Sequence, residues 1–445
     1  MSKHLTPHQQ AALDWVVARI KAGAPLVALR GLAGTGKTTL IPALRAALST
    51  DTHPVLVGTP THRAAMILRR KGVTDAATVH SLCLTPYFTP AYAAAVHWLG
   101  GHADTPGHDD VEDSDGGDPT DAPPLVLARL QELGCPQTPA MLSALRDAYA
   151  PSAILASIGI HGRHHLIGFG PKLGAKGVLI IDEASMVGHA LLTLCQQAFR
   201  HIILVGDPGQ LPPVRDIAVL DTVEGMQLSE IHRQAADSPL LRLAYRAREG
   251  YAFWRHGLAA YAPGAYAYQA VPARLLLEAP LITWMNATRL SCTRMIREAL
   301  GYPADQLVAG EPLVCRSTDQ AARVDGFYNN ALFRVAKTAA HDAREVTLVD
   351  DLTGEECVAL VHLEELDGDN VELDAIPFRF GYCLTAHTAQ GGEWSTVYIS
   401  RPDLVRYAGT CWRYGCLDDL ARWSYTAITR AKQGLGLLTQ HCFLK

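Results

Sequence analysis

The stretch RGLAGTGKTTL, residues 30–40, places Gly31 five positions ahead of Gly36, Lys37 and Thr38. The apolar run before it, Pro25–Leu29, reads as a short buried strand. The run after it, Thr38–Leu48, carries apolar residues at helical spacing. Strand, glycine turn and helix in that order form the context of a phosphate-binding loop. Gly31, Gly34 and Gly36 let backbone N–H groups, those of Thr35 and Thr39 among them, converge on an anion at a helix N-terminus. Lys37 would reach the β- and γ-phosphates, and the Thr38 hydroxyl would ligate Mg²⁺. The full eight-residue pattern sets this loop apart from an ordinary glycine turn, so a nucleoside triphosphate is the expected ligand.

Two further strand ends carry polar groups. In VLIIDEASMV, Asp182 and Glu183 follow four strand-forming residues. Asp182 there can hold the Mg²⁺ water shell, and Glu183 can activate a water. In ILVGDPGQLPPV, Asp207 and Gln210 repeat the device, with Gln210 placed to sense the γ-phosphate. Arg233 in LSEIHRQ and Arg430 in YTAITRAK offer cations for charge developing on that phosphate. If the nucleotide lies between two α/β halves, Arg430 approaches from the second.

The 445 residues, 48% hydrophobic and 19% charged, give room for roughly two to four domains. No signal pattern and no apolar run of membrane-spanning length is present, so a soluble, cytoplasmic protein is expected. Ten cysteines occur without a C-x-x-C pair. Those in apolar runs, such as Cys195 and Cys383, read as buried thiols. Neither Cys411 with Cys416 nor the HGRHH run at His161 has the partner ligands zinc needs. The net charge of −5 is local in origin: residues 102–121 hold eight acids and no Lys or Arg, leaving the remainder net positive. That stretch reads as a disordered acidic linker.

Strand-like runs at Pro25–Leu29, Val55–Gly58, Val178–Ile181 and Ile202–Val205, alternating with helical segments, predict a parallel α/β sheet. Leu281–Trp284, Val397–Ser400 and Leu435–Leu438 predict a second sheet without its own glycine loop. Residues 86–170 read as an insertion in the first half. Residues 302–378, with short alternating runs, read as a small β-barrel inserted in the second. The segment ASIGIHGRHHLIGFGPK suggests a hairpin over 155–170, two strands around a His-Gly-Arg-His turn, with Phe169 free to stack on a base.

The ordered set LTPHQ, GLAGTGKTT, GTPTHRAA, TVHSL, LIIDEASMV, LVGDPGQLPPV, LSEIHRQ, LTAHTAQGGEW and YTAITRAK resembles the motifs of superfamily 1B DNA helicases of the RecD/Dda-like branch. The match runs from Leu5 to Lys432 with gaps only at the insertions. This resemblance implies two RecA-like motor domains, 1A over 1–85 and 171–245 and 2A over 246–301 and 379–445. It also implies a pin inserted in the first and an SH3-like domain, 2B, over 302–378. ATP and Mg²⁺ are the implied cofactors, and ATP-driven 5′→3′ movement on single-stranded DNA, with unwinding at forked duplex, the implied activity. DNA replication, repair or recombination would be the setting, with single-strand-binding or replication proteins as partners of a monomer.

Position by position, Gln9 resembles the adenine-reading glutamine, and Lys37, Thr38, Asp182, Glu183, Gln210, Arg233 and Arg430 the hydrolytic set. Pro60, Thr61, His62, Thr78, His80, Thr385 and His387 fall where the family contacts the strand, and Asn286 and Arg289 open the second motor domain. Hydroxyls and N–H groups suit phosphates, and the faces of Pro60 and His62 suit bases or sugars. One position departs: the family has Lys after the motif histidine, and this chain has Thr388. An RNA helicase of the same superfamily and an ATP-gated remodeller that clamps without unwinding are the competing expectations. A nuclease is disfavoured, because no spare carboxylate and histidine constellation lies outside the motor motifs.

Overall fold

The computed structural model describes residues 5–50, 54–100, 103, 122–146, 151, 154–155, 158–172, 176–214, 216–230, 237–255, 264–317, 326–338, 345–367 and 375–445. Two compact units result. One joins Met1–Val79, Gly174–Arg316 and Asn329–Lys445; the other joins His80–Leu173 and Ser317–Tyr328.

In the larger unit a six-stranded sheet runs in the order Ala77–Thr78, Val55–Thr59, Lys176–Ile181, Phe199–Gly206, Leu26–Gly31, Gly225–Leu228, every pairing parallel. Its central strands come from VLII and IILV, whose side chains are all buried. Continuous apolar runs of this kind suit a parallel sheet covered by helices on both faces. The helix Pro7–Lys21 packs on it, starting at a reciprocal Thr6–Gln9 capping box with proline in the first turn. The helix Lys37–Leu48 begins at the phosphate loop itself, on Gly36 with φ of 78°.

A second, five-stranded parallel sheet follows in the order Cys383–Thr385, Leu281–Thr283, Trp394–Ser400, Ala431–Leu438, Ala265–Tyr268. The fold is thus a parallel-sheet α/β type with two sheets. Between its elements, Pro312–Cys315, Leu332–Thr338, Glu345–Asp350, Glu356–Leu363 and Ile376–Phe380 close into a barrel. Inward residues Leu313, Phe333, Val335, Val346, Leu348, Val361 and Phe378 fill it, which gives the alternation its period of two.

The smaller unit packs helices Pro90–Trp98, Pro124–Glu132 and Pro139–Arg146 around Tyr92, Trp98, Leu130 and Leu142. Here the hairpin expected within 155–170 is corrected. Gly162–His165 form a 3-10 turn, and the described residues of that stretch hold one strand, Leu166–Pro171. Its antiparallel partner is Leu84–Phe88, from before the insertion, with Pro86 opposite Phe169. The physical reason is that the turn is pinned upstream: the His165 ring stacks on Tyr92 at 5.2 Å, and Thr89 N–H donates to the His165 carbonyl at 2.8 Å. The ribbon therefore joins segments about eighty residues apart in sequence. Phe169 is half-buried on it, while Ile167, at a bulge in the ladder, is 54% exposed.

Candidate nucleotide site and strand-binding residues

The phosphate loop is built by three glycines with distinct duties. Gly34 and Gly36 take φ of 83° and 78°, the left-handed region that glycine adopts without cost. A Cβ on Gly31 would lie 2.5 Å from Thr35 Oγ1, so that position has no room for a side chain. Thr35 ties the loop by donating its hydroxyl to the Leu32 carbonyl at 2.8 Å, and Thr39 N–H donates to the Gly36 carbonyl at 3.0 Å. Lys37 Nζ donates to the carbonyls of Gly31 and Leu32 and stands 3.9 Å from Asp207 Oδ2.

Thr38 Oγ1 donates to Asp182 Oδ2 at 3.2 Å, so the hydroxyl and the strand-end carboxylate meet as adjacent hard oxygen donors. Such a pair fits Mg²⁺, which binds through one or two protein oxygens and keeps phosphate and water for the rest. Burial raises the Asp182 carboxyl above the ordinary carboxylate range, against the lowering effect of the Glu183 N–H that donates to it at 3.0 Å. Glu183 is raised too, by burial first and by the Asp182 charge second, with Arg430 and Lys37 pulling the other way. Its backbone has φ of 55°, a strained conformation for a side chain of this size.

Asp207 is buried and accepts from Gly209 N–H at 2.9 Å and from the Tyr425 hydroxyl at 2.7 Å. Tyr425 in turn accepts from Ala33 N–H at 2.7 Å, so one phenol from the second half touches both the loop and the Asp207 strand end. Tyr245 donates to the Ala33 carbonyl and stacks on Tyr425. Gln210 is buried with Oε1 lacking a donor among the described residues, an acceptor that a water can fill. Arg430, 4% exposed, donates to the Thr426 and Gly392 carbonyls, both at 3.1 Å, and to Thr429 Oγ1 at 3.2 Å. Gln9 Nε2 donates to the Thr35 carbonyl at 3.4 Å while its Oε1 completes the helix cap. Arg233 lies outside the described residues.

The expected strand contacts occupy strand ends and helix starts. Thr61 caps the helix His62–Arg70, accepting from Ala64 N–H at 3.3 Å, with Pro60 just before it. Burial lowers the His62 and His387 imidazoles, keeping them neutral near pH 7. Thr78 ends the edge strand of the first sheet, and His80 follows on the short helix Val79–Cys83. In the second sheet, Thr385 caps the turn Ala386–Ala389 and Asn286 starts the helix Asn286–Leu300. Arg289 forms a buried ion pair with Glu365 at 2.5 Å.

Residue-by-residue reading of the sequence missed the joints between the halves. Gln390 Nε2 donates to the Leu211 carbonyl at 2.9 Å, and Leu211 N–H donates to Thr426 Oγ1 at 3.1 Å. The Arg63 guanidinium lies 4.2 Å from the centre of the Trp394 ring, and burial lowers it to about 10. Tyr425, Gln390 and Trp394 all sit inside motif stretches; their signal was being large or polar in otherwise small-residue segments.

With this geometry in place, comparison with known proteins is specific. Residues 16–216 match the AAA domain family, and residues 380–438 match the UvrD-like helicase C-terminal domain family. Over these stretches the chain is similar to ATP-dependent DNA helicases. It is 29% identical over 262 residues to the ATP-dependent RecD2 DNA helicase of Deinococcus radiodurans, covering 53% of this chain and 35% of that one. It is 38% identical over 79 residues to the ATP-dependent DNA helicase dda of Enterobacteria phage T4, covering 18% of each. The matched stretches thus span about a third of the first relative and under a fifth of the second. A crystal structure of Pif1 helicase from Candida albicans is 16% identical with a TM-score of 0.48, covering 98% of this chain and 95% of that one. Among the described residues no helix is long and apolar enough to cross a membrane.

Proposed function

We propose that this superfamily 1B relative is an ATP-dependent DNA helicase that moves 5′→3′ on single-stranded DNA and opens duplex at a fork. The observation that carries the reading is the joint at the phosphate loop: Tyr425, from the helix that ends beside Arg430, bonds both Ala33 and Asp207. A change at the γ-phosphate position therefore acts directly on the second sheet. Motor action needs that connection; a passive nucleotide site does not.

A bound Mg²⁺, held at Thr38 and Asp182, would supply charge neutralisation between the β- and γ-phosphates. Lys37 leaves the Gly31 and Leu32 carbonyls to meet the γ-phosphate. Glu183, its carboxyl raised by burial, takes a proton from the attacking water, which Gln210 Oε1 helps to orient. Arg430 and, by resemblance, Arg233 meet the charge that develops on the phosphoryl oxygens. Gln9 reads the adenine from the start of the chain.

In this reading the strand crosses the two sheets over Pro60, Thr61, His62, Thr78 and His80, then Asn286, Thr385 and His387. Motor domains 1A and 2A keep the boundaries given above, with 2B as the barrel. The ribbon carrying Ile167 and Phe169 serves as the wedge. Opening a base-pair step costs about 1.4 kcal/mol of stacking, which one ATP readily covers. The test uses forked substrates with a 5′ or a 3′ tail, in DNA and in RNA, with wild type and Lys37→Ala. Unwinding of 5′-tailed DNA by wild type alone is expected. Opening only of RNA, or only of 3′-tailed forks, would replace the reading by its rivals. Strand binding and ATP turnover with no opening of any fork would identify a clamp.

A further inference from the structure

The recess at the base of the barrel joins residues that no motif groups together. Asn286 and Arg289 come from the second motor helix, Thr385 and Thr388 from the turn after Cys383–Thr385, and Arg316 and Arg379 from the ends of two barrel strands. The recess is shallow and partly open to solvent. Three guanidiniums converge there. Their mutual repulsion is felt at Arg316, which is lowered by burial first and then by the charges of Arg379 and Arg289.

Glu365 and Glu364 pair with Arg289 and Arg379, so the three guanidiniums face two carboxylates, and two guanidinium donors are left over. Among the described residues, Arg289 Nη2 and Arg316 Nε are buried with no hydrogen-bond partner. Arg289 is itself 4% exposed, its Nη1 donating to Glu365 at 2.5 Å and its Nε to Asn286 Oδ1 at 3.4 Å. The Thr385 and Thr388 hydroxyls are bonded to each other at 3.0 Å, which leaves one of them able to donate to an acceptor. A buried N–H without an acceptor is costly, and charged donors most of all. Guanidinium donors with hydroxyls beside them match a tetrahedral oxyanion, which arginine binds in a two-pronged manner.

We infer that this recess is an oxyanion site that takes one phosphodiester of the bound strand, with its cations supplied by Arg316 and Arg379 of the barrel in place of a lysine at position 388. The assignment of the ligand to a strand rests on the motor reading above; the oxyanion chemistry does not. The barrel thereby becomes part of the grip on the strand. The departure at Thr388 moves the positive charge from the motif turn to the inserted domain instead of deleting it.

The test uses the full chain with Lys37→Ala throughout, which removes the phosphate loop's cation. Sulfate is titrated against chloride at matched ionic strength while thermal unfolding is followed. Binding of a fluorescent oligothymidylate is measured across salt. Sulfate should raise the unfolding midpoint of the parent and not of Arg316→Gln/Arg379→Gln. The double variant should bind the oligonucleotide about tenfold more weakly, as expected for lost charge-assisted bonds. Its slope of log K against log salt should be shallower by about 0.7, one phosphate's worth. Thr388→Lys added to the double variant should recover the slope, which a misfolded protein would not do. Arg379→Gln alone, whose partner Glu364 is a surface residue, should show part of the loss.

An unchanged slope and an unchanged sulfate response in both variants overturn the inference. A sulfate response that depends on the arginines, in a parent that binds no oligonucleotide, supports an oxyanion site for free phosphate. That result would overturn the strand as its ligand and the motor reading with it.

Discussion

Tyr425→Phe removes a single oxygen and tests whether the nucleotide site is wired to the second half as described. The phenol is fully buried, donates to Asp207 Oδ2 at 2.7 Å and accepts from Ala33 N–H at 2.7 Å. Burial and the neighbouring Asp207 charge hold its proton on well above the ordinary phenol range, so it is a donor at every working pH. A hydrogen bond to a charged group contributes about 1.5–3 kcal/mol. Ala33 is half-buried, so water can take over its N–H at little further cost. Tyr425→Phe should therefore destabilise by about 2–3 kcal/mol. The cleaner quantity is the coupling from a cycle with Asp207→Ala, expected at about 1.5–3 kcal/mol because both substitutions delete the same bond. Urea unfolding of the four proteins, followed by fluorescence of the buried Trp423 and its neighbours, measures it. Additive losses, with coupling under about 0.5 kcal/mol, would refute the claim that this bond joins loop and second half.

Arg430→Lys should leave nucleotide affinity nearly unchanged and slow turnover by about 10³-fold, since an ammonium cannot reproduce the forked guanidinium; equal loss of binding and turnover would assign it a ground-state role. Glu183→Gln should abolish turnover and stabilise the nucleotide-free protein at neutral pH. The sign follows from its raised carboxyl: the folded state holds the proton more readily than the unfolded chain. The ionised form is therefore a cost that grows as pH climbs from the ordinary carboxylate value through the folded one, and is absent below both. The gain in unfolding midpoint should vanish in acid; a gain that persists there would mean relief of something other than charge.

The parts of the fold legible in the sequence were those with one dominant local cause. The glycine loop needs left-handed backbone at Gly34 and Gly36 and an absent side chain at Gly31, and no other residue type supplies these. VLII and IILV are continuous apolar runs, and only strands covered on both faces use them. The short edge strands Ala77–Thr78, Gly225–Leu228 and Ala265–Tyr268 had no such cause, being too short for periodicity and held by neighbours far along the chain. Two barrel strands, Glu356–Leu363 and Ile376–Phe380, escaped for a related reason: on the outward face of the first, His362 is buried while Val358 is exposed, which blurs the alternation. The ribbon was misread because its strands, Leu84–Phe88 and Leu166–Pro171, are separated by a whole helical insertion. Periodicity sees a strand and cannot see its partner. The acidic stretch 102–121 lies almost wholly outside the described residues, as does Arg233.

The site itself poses a question that its contacts answer. Of the cations expected to meet the γ-phosphate, the two described ones are already engaged within the protein: Lys37 on two loop carbonyls, Arg430 on Thr426 and Gly392 carbonyls and the Thr429 hydroxyl. These are bonds from charged donors to neutral oxygens. Exchange for phosphate oxygens replaces them with bonds between full charges, which are shorter and about twice as strong. The balance thus favours the exchange only while the γ-phosphate is present. Gly392 and Thr426 sit on the segments that also hold Trp394 against Arg63 and Leu211 against Gln390. In the proposed motor, releasing Arg430 from them would loosen the joint between the two sheets as Lys37 is drawn to the nucleotide. Loss of the γ-phosphate would return both cations to their carbonyls and restore the joint. A motor of this kind needs two states whose difference is set by one phosphate, and the carbonyl partners of Lys37 and Arg430 would define the second of them.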